Sequence, residues 1–529
     1  MVLLLHQLLS ESAAKYPDNV ALRFQSQVMS YAELEAQSNK LARHLQALGV
    51  QPKDRVTICM TRGILSVIGI MGILKAGATY VPIDPMSPVS RLGYIVKKCT
   101  PTFLITTKQK LNEVKEAIIN KVNLKTILLM DGDGTLITCG HAKVFDWPTL
   151  SDIDSNKMLD SNIGDCDLAY ILFTSGSTGR PKGVMISHRN SLTFIDSVAD
   201  FFNINESDRI SNNSPLHFDL SVFDIFVAFK KGASVVIVPE ITTVFPAKLA
   251  EYIQENKITV WNSVPSLLTL LANFASLDKH DLSSMRLVLF AGEVFPVKYL
   301  RRLKKILPKA DFYNIYGQTE ANSSTYYKVT ALPDKDTDVL PIGKPFSGFE
   351  VFALDDNGKV IQSSAEKGEL YVRSKSVAAG YWQEAEKTAQ AFVKDPLVPE
   401  SGDKVYKTGD LVTLDSAGNY IFLGRKDHMI KSRGYRIEIG EIETVLSNHP
   451  DIKTAVVIPI PDELIGNRIS AIVVPLTAGG IKKEEITKYC FKHLPKYMIP
   501  EIIELRDFLP TTSSGKADRK KLMESIHKH

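Results

Sequence analysis

A chain of 529 residues is too long for one ordinary domain, and its 44% hydrophobic and 23% charged residues belong to a globular protein with a large core. Sixty-three basic against 59 acidic residues leave a formal charge of +4, too little over this length for a surface that tracks nucleic-acid phosphates. Five scattered cysteines without a C-x-x-C pair exclude a disulfide framework or a zinc knuckle and point to a reducing cytoplasm.

The opening MVLLLHQLLSESAAKYPDN lacks a basic leader and is broken by His6, Gln7 and Ser10, so it predicts an amphipathic first helix and no signal or membrane span. Through the first half, helical stretches alternate with branched apolar runs at 55–60 (RVTICM), 102–106 (TFLIT), 168–177 (LAYILFTSGS) and 233–240 (ASVVIVPE). That is the pattern of parallel sheets covered by helices. From about residue 345 the texture turns to strand and turn: FEVFALDDNGKVI puts Asn357 and Gly358 at a hairpin position, and GELYVRS and GNYIFLG follow. After GRKDHMIKSRGYRIE (424–438) comes a compact unit with a helix near 440–448, the strands TAVVIPI and RISAIVVPL, and a helix near 483–493.

The expected fold is therefore α/β, with a large N-terminal domain of helix-covered sheets (1–424) that carries a β-rich subdomain over 345–424. A hinge at 425–428, near Asp427, leads to a small mobile α+β C-terminal domain over 429–529. No internal repeat or low-complexity linker interrupts the chain, and the 13 residues after Lys516 are too few for another folded domain.

In ILFTSGSTGRPKGVMISHRN (171–190) an apolar strand runs into Thr174, Ser175, Gly176, Ser177, Thr178 and Gly179, with Lys182 close behind. Small residues let backbone N–H groups approach phosphate oxygens, hydroxyls add donors, and the lysine adds a mobile positive charge. No G-x-x-x-x-G-K-[ST] occurs, so this is not a Walker loop, and a plain surface loop is the alternative.

With these residues the sequence resembles the AMP-forming adenylating superfamily, which includes acyl-CoA synthetases, luciferases and the adenylation domains of nonribosomal peptide synthesis. Further family strings stand in order over nearly the whole chain: SYAEL (30–34), LKAGATYVPID (74–84), YGQTE (316–320), GEL and GYW (368–370, 380–382) and YKTGDLV (406–412). They continue with GRKDHMIKSRGYRIEIGEIE (424–443), LPKYMIP (494–500) and TTSSGKADR (511–519).

The resemblance implies ATP and Mg²⁺ as cofactors and assigns roles to residues of this chain. Asp410 is to accept hydrogen bonds from the ribose hydroxyls, with Arg425 holding the sugar. Tyr316 and Phe422 are to flank the adenine, and Asn314 to meet its edge. Gly292, Glu293, Gly317 and Lys431 complete the nucleotide set. Thr319 is to contact the α-phosphate and Glu320 to hold the magnesium. Taken singly, Asp410 could cap a turn, Tyr316 could be core and Glu320 could be a solvated carboxylate. Lys516 is the catalytic lysine by resemblance, bridging carboxylate and phosphate as negative charge develops. Rotation about Asp427 is to withdraw it and present the loop around Gly434; a simple turn at Asp427 is the alternative.

The acid is read from SPLHFDLSVFDIF (214–226). Asp219 matches the position where amino-acid-activating members set a carboxylate against the substrate ammonium, an arrangement costly in an apolar pocket unless a cation arrives. A turn or cap role is its alternative. The other matched positions are Leu220, Phe223, Asn262, Leu289, Ala291, Ile315, Ser323 and Ser324, a mostly apolar lining without a second charge. A small or medium neutral amino acid fits best, and the lining looks like that of stand-alone proline:carrier-protein ligases, which favours L-proline. His217 either meets the substrate carboxylate, lines the thiol's access, or is structural.

No carrier motif fits within the chain, so the acceptor thiol is expected in trans, on the phosphopantetheine of a free-standing carrier protein. Coenzyme A is the other candidate. Gln318 keeps an acyl- or aryl-CoA ligase in view, since acyl-CoA synthetases often carry glutamine there and peptide-synthetase domains proline. Neither nucleic acid nor a membrane is expected as a partner.

Overall fold

The computed structural model describes residues 4–119, 124–133, 137, 139–150, 162–176, 179–336, 338–427, 429–477, 479–510 and 519–526. Two large sheets dominate the N-terminal domain. The eight-stranded sheet runs in the order Gly380–Tyr381, Lys182–Ser187, Leu168–Thr174, Thr79–Pro82, Arg55–Cys59, Phe103–Thr106, Thr126–Leu129 and Lys143–Asp146. The nine-stranded sheet runs Lys344–Pro345, Asn322–Lys328, Asp311–Gln318, Leu287–Ala291, Val260–Ser263, Arg209–Asn212, Ser234–Ile237, Val20–Phe24 and Gln27–Ser30.

The apolar runs form strands as expected, but the sheets are mixed, not parallel. Leu168–Thr174 pairs antiparallel with Lys182–Ser187, and Asp311–Gln318 pairs antiparallel with Asn322–Lys328. In both places only a short polar turn separates the two strands, and a connection that short cannot make a parallel crossover. The first helix is Gln7–Lys15, beginning later than the apolar opening.

Helix Ile64–Lys75 is buried along almost its entire surface, which explains a sequence apolar all round rather than on one stripe. Its Lys75 is only 4% exposed, pairs with Glu35 at 2.6 Å and donates to the Asn39 amide oxygen at 2.6 Å. Next to it, Tyr31–Ala47 starts at a capping box in which Ser30 and Glu33 satisfy each other's backbone N–H.

The β-rich region holds a five-stranded sheet built from Phe349–Leu354, Gly368–Ser374, Lys404–Leu414, Phe392–Lys394 and Tyr420–Arg425. It is not self-contained. Gly380–Tyr381 leaves it to pair with Lys182–Ser187, which brings Tyr381 beside the phosphate-type loop. Gly358 (φ +79) turns the chain after Leu354, yet only a single bridge, Leu354 to Val360, follows the turn.

The smaller C-terminal domain packs Ile439–Ser447 and Lys483–His493 on the antiparallel pair Ile452–Asp462 and Gly466–Pro475, with Ile502–Leu505 joining in parallel. In front of it stands a two-stranded hairpin, Met429–Ser432 and Tyr435–Glu438. Arg433 (φ +52) and Gly434 (φ +80) make its turn, both in the left-handed region that a two-residue turn of matching twist requires.

Candidate active site

Two adjoining cavities lie where the hairpin meets the N-terminal domain. One, of about 130 Å³, carries Asp219 and Thr319 among apolar walls that include Phe194, Phe202, Leu289 and Ala291. The other, of about 510 Å³, is walled by Tyr316, Phe422, Asn314, Arg425 and Asp427. Gly292, Ile315, Gly317, Met429 and Lys431 face both, so Lys431 of the hairpin stands at their boundary. Burial lowers the Lys431 ammonium from its ordinary range, with nearby Asp410 opposing.

Most of the expected acid-pocket residues meet in the smaller cavity: His217, Asp219, Leu220, Phe223, Asn262, Leu289, Ala291, Ile315 and Ser323. Ser324 does not. Successive side chains of strand Asn322–Lys328 point to opposite faces, and Ser324 turns away into full burial, where its hydroxyl donates to the Asn322 carbonyl at 3.3 Å.

Asp219 starts the short helix Leu220–Val222, but its side chain caps nothing. It accepts the Thr319 hydroxyl at 2.9 Å, and burial raises its carboxyl above the ordinary carboxylate range, with the Thr319 bond opposing. Among the described residues it has no ion pair. Thr319, expected at the α-phosphate, lines the same cavity. His217 faces the same cavity, and its Nε2 is buried without a partner among the described residues. Burial lowers its basicity.

In the larger cavity, Tyr316 is both wall and core: it is 6% exposed and packs on Ile342 and Val412. The Asn314 amide nitrogen donates to the Pro341 carbonyl at 2.8 Å. Asp410 neither caps a turn nor lines the cavity. Its carboxylate accepts from the Tyr316 hydroxyl, Gln318 Nε2 and Arg425, so it stands one layer behind the wall. Gln318 lines the smaller cavity while its Nε2 bonds Tyr316 and Asp410. Arg425 also holds Asp427 through two 2.6 Å bonds, and Asp427 accepts the Met429 N–H at 3.2 Å, bracing the chain where it enters the hairpin.

Of the phosphate-type loop, Thr174 and Ser175 line the smaller cavity, whereas Gly176 and Gly179 line neither. A side chain at Gly179 would meet Thr444 of the C-terminal domain. Ser177, Thr178 and Lys516 lie outside the described residues. Lys182 sits behind the loop, donating to the Tyr381 hydroxyl at 2.8 Å and pairing with Glu320 at 3.1 Å.

Glu320 is not a solvated carboxylate. It has no exposed surface, and it is flanked by Lys182, by the Tyr381 hydroxyl at 2.8 Å and by Arg436 Nη1 at 2.9 Å. Burial opposes its ionisation, but Arg436 and Lys182 outweigh it and hold the carboxyl well below the usual range. Glu320, the carboxylate expected to hold magnesium, thus pairs with two cations. Arg436 was missed in the sequence because it is one of several basic residues in the 424–443 string, and nothing local marks which of them reaches a buried acid.

The hairpin closes the site. The Gly434 N–H donates to Glu293, the Ser175 hydroxyl donates to the Arg436 carbonyl at 2.7 Å, and Phe218 meets Tyr435 edge-on at 5.0 Å. A Cβ on Gly434 would lie 2.4 Å from a Val264 methyl, so the turn needs glycine for fit as well as for its positive φ. A buried Arg91–Glu441 pair ties the two domains alongside.

Comparison with known proteins agrees with this arrangement. Residues 9–382 match the family model described as AMP-binding enzyme, and residues 441–516 match AMP-binding enzyme C-terminal domain. The chain is 35% identical over 523 residues to a protein of Pseudomonas fluorescens named L-proline–L-prolyl-carrier protein ligase, covering 99% of each. It is 36% identical over 504 residues to one of the same name from Streptomyces coelicolor, covering 94% of this chain and 92% of that one. Among solved structures, IdnL1 superposes with a TM-score of 0.80 at 27% identity, covering 96% of this chain and 98% of that one. The Vibrio cholerae adenylation domain AlmE, in complex with glycyl-adenosine-5'-phosphate, superposes at 0.84 over 99% of this chain and 98% of that one; at 24% identity it shows the fold alone. The chain belongs to the AMP-binding enzyme family.

Proposed function

We propose that this protein activates a small or medium neutral amino acid, L-proline in the first place, with ATP and passes it to the phosphopantetheine thiol of a separate carrier protein. The observation that carries the reading is Asp219: a carboxylate without an ion pair among the described residues, set near apolar walls in a cavity whose other charged lining residues, Lys431 and Arg436, come from the hairpin, next to a larger cavity. A buried charge of this kind is stabilised by an arriving ammonium group, which amino acids bring and fatty acids lack. The two relatives named as proline ligases support proline within that class.

In the first step a carboxylate oxygen of the amino acid attacks the α-phosphorus of ATP, and the bond to pyrophosphate breaks. In the second, the carrier thiol attacks the acyl carbon, and AMP leaves with loss of the thiol proton. Such chemistry needs position and charge more than a nucleophilic side chain. Tyr316, Phe422 and Asn314 would hold the adenine, with Arg425, held from behind by Asp410, toward the ribose. Ser175 and Lys182 would serve the phosphates, and Lys516 would swing in from the C-terminal domain. Glu320, one buried carboxylate, fits the way magnesium is shared between a carboxylate and substrate phosphates, once Arg436 withdraws. The ion would supply charge neutralisation at the triphosphate. The hairpin at 429–438 would then mark the thiol-accepting state, with Asp427 as the pivot. The free cysteines suit a reducing cytoplasm.

The test is acid-dependent exchange of labelled pyrophosphate into ATP across the twenty amino acids with a panel of fatty and aryl acids. A dominant proline signal that Asp219→Ala removes supports the reading. A signal confined to fatty or aryl acids, indifferent to Asp219→Ala, replaces it with an acyl- or aryl-CoA ligase.

A further inference from the structure

A π-helical turn, Phe223–Val227, interrupts the helical segment that follows Asp219. Such turns are rare and gather at functional sites because the extra residue re-aims its neighbours. Here Phe223 reaches the wall of the acid cavity while Asp224 is driven to complete burial. The Asp224 carboxylate takes one amide from each of two adjacent parallel strands, Asn262 Nδ2 at 2.9 Å and Asn212 Nδ2 at 3.0 Å. Burial pushes Asp224 up to about 8 in spite of these bonds.

Asn262 is held at its main chain as well. Its N–H donates to Ser211 Oγ at 3.2 Å, and its carbonyl accepts Asn213 Nδ2 at 2.7 Å. Asn262 lines the acid cavity, across the strand register from Leu289. A planar amide that turns its nitrogen to Asp224 turns its oxygen away from it. Among the described residues no donor meets that oxygen.

We propose that Asp224 is a positioning residue for substrate selection, fixing the Asn262 amide so that its oxygen is the one hydrogen-bond acceptor offered by this wall of the acid cavity. The acid so favoured carries an N–H or O–H to place there. The inference rests on the cavity being the acid site and extends the contacts of Asp219 to a second, independent wall.

The test is a double-mutant cycle in pyrophosphate exchange, using the acid to which the unaltered protein responds best. Asn262→Leu and Asp224→Asn are each expected to raise the KM for the acid roughly tenfold, the effect of one lost hydrogen bond, with the KM for ATP unchanged. The double variant is expected to be no worse than Asn262→Leu, because Asp224 acts through Asn262. Effects that multiply, an acid KM that Asp224→Asn leaves unchanged, or a shifted ATP KM overturn the proposal. Where Asp224→Asn does not fold, the exchanged pair Asp224→Asn with Asn262→Asp restores an amide–carboxylate bond and places a carboxylate on the wall. A selectivity shift of tenfold or more toward a basic amino acid supports the proposal, and unchanged selectivity overturns it. Asn262→Leu with an unaltered acid KM overturns it by itself. A response to fatty or aryl acids alone would fail the amino-acid reading while the cycle stays readable with those acids.

Discussion

Arg436 Nη1 lies 2.9 Å from Glu320 Oε2, so the C-terminal hairpin places a cation on a carboxylate wholly buried in the N-terminal domain. Withdrawing that cation leaves Glu320 with Lys182 at 3.1 Å. Arg436→Ala is expected to keep pyrophosphate exchange within about threefold while slowing transfer to the thiol by roughly tenfold or more, since the hairpin loses its partner only in the docked state. Assaying the two half-reactions separately checks this; equal losses in both would refute the assignment of Arg436 to the docked state.

Gly434 holds a φ of +80 with a Val264 methyl where a Cβ would go. Gly434→Ala is expected to lift the hairpin from Glu293 and reduce thioester formation by about tenfold or more, with exchange largely kept. A variant that transfers the acyl group at the normal rate would show that the hairpin need not seat for the second step.

Burial raises the Asp219 carboxyl, which accepts the Thr319 hydroxyl and forms no ion pair among the described residues. Removing it in Asp219→Asn takes away a charge-assisted contact with the substrate ammonium, on the order of 2–3 kcal/mol, or about a hundredfold in kcat/KM for the amino acid. The KM for ATP should not move. Steady-state exchange kinetics in both substrates separate the two quantities.

His188 is wholly buried with Nδ1 accepting the Leu5 N–H at 3.1 Å, and burial pulls it down to about 4. Its folded value lies below the ordinary 6.5, so the unfolded chain takes up the proton first. The stability it contributes is full above about pH 6.5 and is lost as the pH falls toward 4. Thermal melting should therefore fall across that window and change less steeply in His188→Asn, whose amide oxygen can still accept from Leu5. An identical slope in the variant would remove His188 from the acid response.

Local patterns made much of the fold legible. Branched apolar runs such as 55–60 and 102–106 became buried strands because their length and composition suit a sheet covered on both faces. The 439–447 and 483–493 helices fell where their periodicity placed them. Strand direction was not legible at Leu168–Thr174 and Lys182–Ser187, where pairing depends on how short the polar turn between them is. Of the adjacent Ser323 and Ser324, both expected in the acid pocket, only Ser323 reaches it, since successive residues of a strand point to opposite faces.

By itself the sequence determined the chemical inventory: a glycine-rich loop with a lysine behind it, and a two-domain α/β chain with a basic string between the domains. Those properties follow from residue type and near-neighbour order, and they survive any arrangement of the domains. Only the tertiary structure decided which charges meet. Arg436 and Glu320 are 116 residues apart, and Asp224 and Asn262 are 38 apart on different elements. Such pairs are selected by close packing and by the high cost of burying a lone charge or an unbonded amide, neither of which leaves a mark on the residues beside them in the chain.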